Sequence, residues 1–303
     1  MFEIRVPATS ANLGPGFDCL GFALQLYNSF RVDRVETGFS TIINDQVTGK
    51  ELSLSIEDNL FYHAMKKVYD LSGKELDGIS LVENINIPFA RGLGSSATAV
   101  VAGLYAANRL LDFPFSDEQI IDLAVEMEGH PDNVLPAIKG GFIINVITDD
   151  GLVYKKIELD TNIKFVIVIP DFKLKTEDVR KVLPAEIPYR DAVFNLSRSA
   201  LLTSCFQDND LSQLKTAMED RLHQDYRSEL IPGFHEVIKK AYQNDALGVA
   251  LSGAGPSILA ITKDNTRLVG EAMVDTFSNY NIGSRFIVTN PDNNGFKIIG
   301  KGR

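Results

Sequence analysis

The feature that most constrains the fold of this chain is a glycine-rich turn that leads directly into a long apolar helix. Gly92 and Gly94 enclose Leu93, and residues 95–111 are mostly small or apolar and contain no proline. Glycine has no Cβ atom, so a ligand can approach the backbone closely. The first turn of a helix presents free N–H groups with a partial positive charge. The segment therefore predicts a buried helix whose N-terminus binds phosphate.

A Walker A loop, a dinucleotide fingerprint and a plain turn are the alternatives for this segment. It is not a Walker A loop, because the lysine of that pattern is missing, although a serine hydroxyl can cap the helix or bind Mg²⁺ as the P-loop serine does. The pattern GxGxxA at residues 92–97 imitates a dinucleotide fingerprint, with Asp112 20 residues after Gly92. The next predicted element is a second helix and not a strand, which opposes a Rossmann fold. A plain turn between strand and helix stays open.

Length and composition predict a globular protein without a membrane or nucleic-acid role. The 303 residues suffice for two domains, and 45% hydrophobic with 23% charged residues is close to the globular average. No apolar run of about 18 residues could span a bilayer. Glu3 and Arg5 interrupt the apolar start, so we expect no signal peptide and a cytoplasmic location. The formal charge of −10, with no basic block, disfavours a nucleic acid as partner.

Cysteine and histidine positions predict neither disulfides nor a structural metal. Cys19 and Cys205 lie far apart, and the four histidines lack the spacing of a zinc site. Both cysteines are expected to be small buried hydrophobes.

The spacing of apolar residues predicts mixed α and β structure along the whole chain. Residues 2–6 alternate as in a strand that ends at Pro7, and the following turn-rich segment is expected to be a loop. Ser116 followed by Gln119 is the pattern of a capping box, and the helix that it opens is expected to end at His130. The other expected elements are strands at 21–35, 79–87, 142–147, 164–169, 246–251, 257–262 and 284–288, and helices at 60–71, 95–111, 176–183, 190–206, 209–219 and 232–244.

Three segments of the sequence, taken together, resemble the motifs of a known protein family. Residues 88–98 read PFARGLGSSAT, residues 7–18 read PATSANLGPGFD, and residues 252–257 read SGAGPS. In this order they resemble the motifs of the GHMP kinase family, with Thr98 at a position where alanine is usual. Three ordered motifs over nearly the whole chain are highly specific.

Two more segments narrow the resemblance. EMEGHPDN at 126–133 and YR…LIPGF at 226–234, together with SANLGPGFD, are similar to the homoserine kinases of that family. This implies an α+β GHMP kinase fold with an N-terminal ribosomal protein S5 domain 2-like domain over 1–155, a C-terminal ferredoxin-like domain over 156–303, and an active site between them. It also implies transfer of the γ-phosphoryl group of ATP to the hydroxyl of L-homoserine in threonine biosynthesis, with Mg²⁺ and as a homodimer.

The resemblance implies a nucleotide site built around the glycine-rich turn. Ser96 and Glu126 are expected to hold Mg²⁺, with Glu128 as the rival ligand, because Glu126 shares the helix face of Leu123 and Met127 only in part. The residues implied to bind ATP are Asn59, Pro88, Phe89, Ala90, Arg91, Gly92, Leu93, Gly94, Ser95, Ser96, Ala97, Thr98, Gly253 and Gly255.

The resemblance also implies a substrate site, formed by Asn12, Asp18, His130, Asn133, Arg180 and Arg227. The two arginines are expected to clamp the carboxylate of homoserine, with Asp18 on the opposite side holding its ammonium group. Asn133, Ser96 and Glu126 are the expected catalytic residues. Asn133 matches the position of a catalytic aspartate in mevalonate kinases, so we expect catalysis by positioning, and Asp132 is the competing base.

Each of these residues could also have a purely structural role. Asn12 and Asp18 could cap turns, His130 could lie at a helix end, and either arginine could be a solvated surface side chain. Two rival functions stay open as well. One is a GHMP kinase for mevalonate, shikimate or a sugar, and the other is a catalytically silent protein of this fold that binds metabolites.

Overall fold

The chain folds into two sheets with helices, as described by a computed structural model for residues 1–76 and 78–300. The last residues of the predicted second domain, 301–303, lie outside this description. In chain order the elements are β1 (Phe2–Asn12), β2 (Gly16–Val35), β3 (Phe39–Asp45), β4 (Lys50–Leu52), α1 (Leu60–Ser72), β5 (Gly78–Ile85), α2 (Ser95–Leu110), α3 (Asp117–Glu128), α4 (Pro131–Lys139), β6 (Phe142–Thr148), β7 (Gly151–Ile157), β8 (Lys164–Pro170), α5 (Thr176–Lys181), α6 (Tyr189–Gln207), α7 (Leu214–Ala217), α8 (Gln224–Ser228), α9 (Phe234–Gln243), β9 (Gly248–Leu251), β10 (Ile258–Thr262), α10 (Thr266–Ser278), β11 (Ser284–Thr289) and β12 (Lys297–Ile299).

The first sheet has the strand order β12-β1-β2-β5-β3-β4, with β6 and β7 added beside β2. Helices α2 and α4 pack against this sheet, α1 packs against α2, and α3 packs against both α2 and α4. The small and apolar residues of α2 let it lie buried on nearly every face. Asn59 and Ser116 start α1 and α3 by accepting backbone N–H groups, and the predicted capping box of Ser116 with Gln119 is confirmed.

The second sheet is antiparallel and has the strand order β11-β8-β10-β9. Numbered along this half of the chain, that order is fourth, first, third, second, which is the ferredoxin-like arrangement that the resemblance implies. Helices α9 and α10 pack together beside it, and β8, β9 and β10 contribute to a core shared with these helices.

A second core joins the two sheets. Phe22 and Phe142 from the first sheet lie in one apolar cluster with Phe165 and Phe206 from the second half. The rings of Phe22 and Phe165 stack with centroids 4.4 Å apart. This shared core holds the two halves against each other and so sets the geometry of any site between them.

The N-terminal motif is strand where a loop is expected. β1 continues through Pro7 to Asn12, and the pairing register with β2 shifts between Pro7 and Ala8 and again between Ala11 and Asn12. Proline has no N–H for the ladder, so a register shift lets the strand continue past it. The turn-rich pattern therefore marks two register shifts and a tight turn at residues 13–15 and not a loop.

The end predicted for α3, at His130, is two residues late, because α3 ends at Glu128, and a further helix follows it. Gly129 closes α3 in the left-handed conformation, with a φ of 83°. Pro131 then begins α4, as proline does at a first helical position, where no N–H is needed. His130 is thus the residue before a new helix and not the end of the old one.

Four other elements add to the predicted set: β3, β4, β7 and β12. The short helix α8 is a fifth and helix α10 is a sixth, and Val269, Met273 and Phe277 at helical spacing are the sequence signal of α10. The helix expected at 209–219 is a short turn at Leu211–Gln213 followed by α7. Where elements are this short, local patterns do not separate turns from helices.

The predicted division between residues 155 and 156 falls inside β7, and β12 returns the end of the chain to β1 of the first sheet. The division itself stays a prediction. Cys205 is buried and Cys19 is half-buried, and both are free thiols. None of the helices in the described part of the chain combines the length and apolarity needed to cross a bilayer.

Candidate active site

A cavity of about 870 Å³ lies where the sequence motifs meet. Its wall contains the glycine-rich turn, the N-terminal motif, the segment around His130 and the turn at Gly253. The predicted site residues that line it are Asn12, Asp18, Asn59, Pro88, Phe89, Ala90, Arg91, Gly92, Leu93, Gly94, Ser95, Ser96, His130, Asn133, Arg180, Arg227 and Gly253. Residues from distant parts of the chain thus form one site.

The glycine-rich turn presents an open helix N-terminus to the cavity. Gly92 and Gly94 have φ values of 72° and 67°, a region that L side chains rarely adopt. Helix α2 begins directly afterwards, and no side chain caps its first turn. The Ser95 hydroxyl donates to the carbonyl of Ile87 at 3.2 Å. The N–H groups of the first turn are therefore free for an anion.

The same turn is anchored to the second half of the molecule. The Ser252 hydroxyl donates to the carbonyl of Gly92 at 2.6 Å. Arg91 reaches the other way, and its Nε and Nη2 donate to the carbonyls of Pro170 and Asp171 at 2.9 and 2.7 Å. These bonds use backbone groups at the end of β8 to hold the turn in place.

Three residues predicted to contact the nucleotide do not line the cavity. Ala97 belongs to the core of the first half. The Thr98 hydroxyl donates to the carbonyl of Ser95 at 2.7 Å and accepts from Asn28 at 2.9 Å. Gly255 closes a turn by donating its N–H to Ser252. These three residues support the wall of the cavity from behind.

Glu128, and not Glu126, lies beside Ser96. The Ser96 hydroxyl donates to Glu128 Oε2 at 3.0 Å, and Glu128 lines the cavity. Glu126 instead pairs with Lys67 at 2.8 Å, with 62% of its side chain exposed. Two residues apart on a helix are separated by about 200° around its axis, so the two carboxylates face different sides. The structure therefore brings Glu128, and not Glu126, to Ser96, which favours the rival ligand.

Burial affects the titration of Glu128. The protein around it raises the pKa of its carboxyl above the usual range, while the hydrogen bond from Ser96 acts in the opposite direction.

His130, Asp132 and Asn133 form a connected group at the start of α4. His130 Nδ1 and Asp132 Oδ1 are 2.7 Å apart, and this hydrogen bond raises the pKa of His130. Asn133 accepts a hydrogen bond from the Thr9 hydroxyl at 2.7 Å and donates to Asp132 at 3.3 Å. Asp132 is buried, so one carboxylate orients both neighbours.

Asp18 and Arg180 contact each other, which corrects the expectation that Asp18 lies opposite both arginines. Arg180 Nη1 and Nη2 donate to the two carboxylate oxygens of Asp18 at 3.0 and 2.8 Å. Asn12 accepts the backbone N–H of Asp18 at 3.0 Å and donates to the carbonyl of Gly253 at 3.0 Å. The amide of Asn12 therefore fixes the start of β2, which carries Asp18.

Arg227 is a buried cation without a carboxylate partner in the described part of the chain. It lies on helix α8, is 1% exposed, and its Nη1 donates to the carbonyl of Gly253 at 3.0 Å. Its Nε has no hydrogen-bond partner. Burial lowers the pKa of its guanidinium to about 10, a value at which it still carries its charge at neutral pH. A buried, unpaired guanidinium edge suits an anionic ligand.

Asn59 and Glu83 form a further polar group in the wall. Asn59 accepts the N–H of Tyr62 at 3.0 Å and donates to Glu83 at 2.8 Å. Burial raises the pKa of the Glu83 carboxyl. Glu83 is absent from the set predicted from the sequence, although a carboxylate on the buried face of an alternating strand, between Leu81 and Ile85, is a signal for it.

The close contact at Gly92 generates a prediction about stability. A Cβ atom there would lie 2.0 Å from the carbonyl oxygen of Ser252, whereas one at Gly73 would meet nothing within 4 Å. Both glycines have positive φ. Gly73→Ala is expected to lower the free energy of unfolding by about 1–2 kcal/mol through backbone strain alone. Gly92→Ala is expected to add roughly 1–3 kcal/mol of overpacking.

Urea denaturation of the two variants measures this difference. Equal losses in both would show that the approach of the two turns tolerates a side chain.

Comparisons with known proteins agree with this architecture. The GHMP kinases N terminal domain matches residues 59–141, and the GHMP kinases C terminal domain matches residues 200–279. A homoserine kinase of Halothermothrix orenii is 54% identical over 99% of this chain and 97% of its own length. One from Clostridium beijerinckii is 47% identical over 86% of each chain.

A solved structure shows the same fold. The crystal structure of homoserine kinase from Cytophaga hutchinsonii has a TM-score of 0.87 and 32% identity, and covers 98% of this chain and 97% of that one. The fold expected from the resemblance is confirmed, and the chain belongs to the GHMP kinase family, within its homoserine kinase branch.

Proposed function

We propose that this protein transfers the γ-phosphoryl group of ATP to the side-chain hydroxyl of L-homoserine, giving O-phospho-L-homoserine and ADP in threonine biosynthesis. The observation that carries the proposal is the content of one cavity. An open helix N-terminus for phosphate and a buried, unpaired Arg227 for a carboxylate line the same space. The homoserine kinase relatives support the same substrate.

The nucleotide phosphates are assigned to the first turn of α2. Its free N–H groups and partial positive charge stabilise anions without a lysine. Asn59 and Glu83, with the apolar side chains of Ile43 and Leu54, line another part of the cavity. Apolar walls with a few hydrogen-bonding groups suit a nucleobase, and we assign the adenine to them.

The residues beside α2 fit Mg²⁺. Ser96 and Glu128 offer oxygen ligands 3.0 Å apart, and Mg²⁺ is held by one or two carboxylates together with substrate phosphates. In residues 1–76 and 78–300 no group of three or more His, Cys, Asp or Glu is placed to hold a metal, so the phosphates would complete the shell. Bound there, the ion would neutralise charge that spreads over the γ-phosphoryl oxygens.

The amino acid is assigned to the charged residues of the cavity. Arg227 offers its free edge to the carboxylate. Asp18 and Arg180 form an ion pair with each other, and a zwitterion can replace that pair by giving its ammonium group to Asp18 and its carboxylate to Arg180. The charges of Asp18 and Arg180 are then balanced both with and without substrate, which lowers the cost of burying these two ions.

We assign the reactivity of the homoserine hydroxyl to its alignment with the phosphoryl group. Asn133 lies against the glycine-rich turn, with its Oδ1 3.2 Å from where a Cβ of Gly94 would stand. An amide does not accept a proton usefully at neutral pH, and the neighbouring Asp132 is bound to His130 and Asn133. We therefore assign catalysis to alignment and to charge stabilisation of the phosphoryl group, with the proton leaving to phosphate or water.

The substrate assay tests this function directly. Purified protein with Mg-ATP is expected to release ADP with L-homoserine and not with mevalonate, galactose or shikimate. Turnover of one of those alcohols in place of homoserine would assign another kinase activity, and binding without ADP release would indicate a metabolite-binding protein. The homodimer and the cytoplasmic location stay predictions of the sequence.

Replacing each glutamate near the end of α3 separates the two metal-ligand assignments. Glu128→Ala is expected to lower kcat by about 10²-fold or more, because charge stabilisation at the phosphoryl group is lost. Glu126→Ala removes only an exposed ion pair with Lys67 and is expected to keep kcat within about twofold. Steady-state kinetics at several Mg²⁺ concentrations measure both. The reverse order of effects would restore Glu126 as the ligand.

Removing the carboxylate clamp is expected to affect one substrate alone. Losing one partner of a buried charge pair costs about 2–5 kcal/mol, so Arg227→Ala should raise KM for homoserine by roughly 30-fold or more. KM for ATP should change little. Turnover of homoserinol, which lacks the carboxylate, should be little lower in the variant than in the wild type.

A matched control is Arg267→Ala, because Arg267 is an exposed arginine paired with Glu271. This variant should leave KM for homoserine, KM for ATP and the turnover of homoserinol unchanged. Equal damage to homoserine and homoserinol turnover in Arg227→Ala would mean that the arginine acts on the nucleotide or on the fold.

A further inference from the structure

We infer that His223 is a positioning residue that aims Arg227 at the substrate's carboxylate. The inference rests on the proposed function and adds to it a residue that does not line the cavity. His223 is fully buried, one helical turn before Arg227, at the residue that precedes helix α8.

The contacts of the His223 ring determine where its proton lies. Its Nε2 is 2.8 Å from the backbone carbonyl oxygen of Gly14. A carbonyl only accepts, so Nε2 carries the hydrogen and donates it. In a neutral ring Nδ1 is then an acceptor, and it receives a hydrogen bond from Arg227 Nη1 at 3.3 Å.

The groups around the ring keep it neutral. Asp220 Oδ2 is 3.6 Å from Nε2, but that carboxylate is already occupied by the backbone N–H groups of His223 and Gln224 at 3.0 and 2.7 Å. Burial lowers the pKa of His223, and the cation of Arg227 acts in the same direction, against the attraction of Asp220. The Nδ1 lone pair therefore stays available to Arg227.

This acceptor determines which edge of the guanidinium is free. Nη1 of Arg227 is held by His223 and by the carbonyl of Gly253. Phe17 supports both side chains, with its ring 5.2 Å from Arg227 Cζ and 5.3 Å from the centroid of His223. A planar group with one nitrogen fixed on two acceptors has a defined orientation. Its Nε and Nη2 edge, where Nε has no partner, remains for a bidentate anion.

The same histidine also connects three parts of the chain. It joins the N-terminal glycine turn, through Gly14, to the arginine and hence to the Gly253 turn. A side chain that merely filled space would not need an acceptor facing Arg227 and a donor facing Gly14.

A pair of amide substitutions separates the two bonds. The acceptor oxygen of asparagine can occupy the place of the imidazole Nδ1, so His223→Asn keeps a partner for Arg227 and loses the donor to Gly14. The amide of glutamine reaches the place of Nε2, so His223→Gln keeps the donor to Gly14 and loses the partner for Arg227. Both variants remove the ring and keep a polar group.

The measured quantity is the ratio of kcat/KM for homoserine to kcat/KM for homoserinol. His223→Gln is expected to lower this ratio about tenfold or more, and His223→Asn to keep it within about threefold of the wild type. KM for ATP should not change in either. Ser199→Ala is the control for the turn at residues 13–15, because Ser199 donates to the carbonyl of Pro15, next to Gly14, at 2.9 Å. This variant should leave the ratio unchanged.

The outcomes distinguish the inference from the proposed function. A wild-type ratio near one would refute the carboxylate site itself. A high wild-type ratio that His223→Gln retains, or that both variants lose equally, would refute only the role of His223.

A second measurement needs no variant. Nitrogen-15 NMR of the imidazole in the wild-type protein is expected to show the hydrogen on Nε2 and an unprotonated Nδ1 at neutral pH. A protonated Nδ1 would overturn the inference even if the variants failed to fold.

Discussion

The turn at Ser252 and Gly253 connects the parts of the cavity to one another. Ser252 donates to the carbonyl of Gly92 and shares a hydrogen bond of 2.8 Å with Ser10. The Gly253 carbonyl accepts from both Asn12 and Arg227. The glycine-rich turn, the N-terminal motif and Arg227 therefore take their positions from one short segment of the second half. Because these partners, apart from the half-buried Gly92, are buried, losing one leaves an unsatisfied group and not a solvated one.

The charge distribution of the cavity explains how an acidic protein can bind an acidic nucleotide. The chain has a formal charge of −10, but the phosphate site depends on backbone N–H groups at a helix end, which act over a few ångströms. Arg227 is buried without a carboxylate partner among the described residues, and Asp18 neutralises Arg180. Local geometry and not net charge therefore decides which anion binds where.

The candidate site could be predicted only as far as single segments reach. The helix after Gly94 and the cap at Ser116 could be predicted from the sequence, because glycine turns, serine caps and apolar spacing depend on residues that are close together in the chain. The choice between Glu126 and Glu128 could not be predicted, because it depends on the exact rotation of α3 relative to Ser96. A one-residue difference in helix phase turns a side chain by about 100° and moves it from cavity to solvent.

The sequence by itself determined which chemical groups are present and in what order, and thereby the family, the phosphate turn and the set of polar residues near it. Only the tertiary structure decided their pairing: Asp18 with Arg180, Ser96 with Glu128, and His223 with Arg227. Asp18 and Arg180 meet because the two halves pack together, and Ser96 and Glu128 meet because α2 packs against α3 within the first half. Contacts of this kind are set by the shape of the apolar cores, which no local pattern encodes.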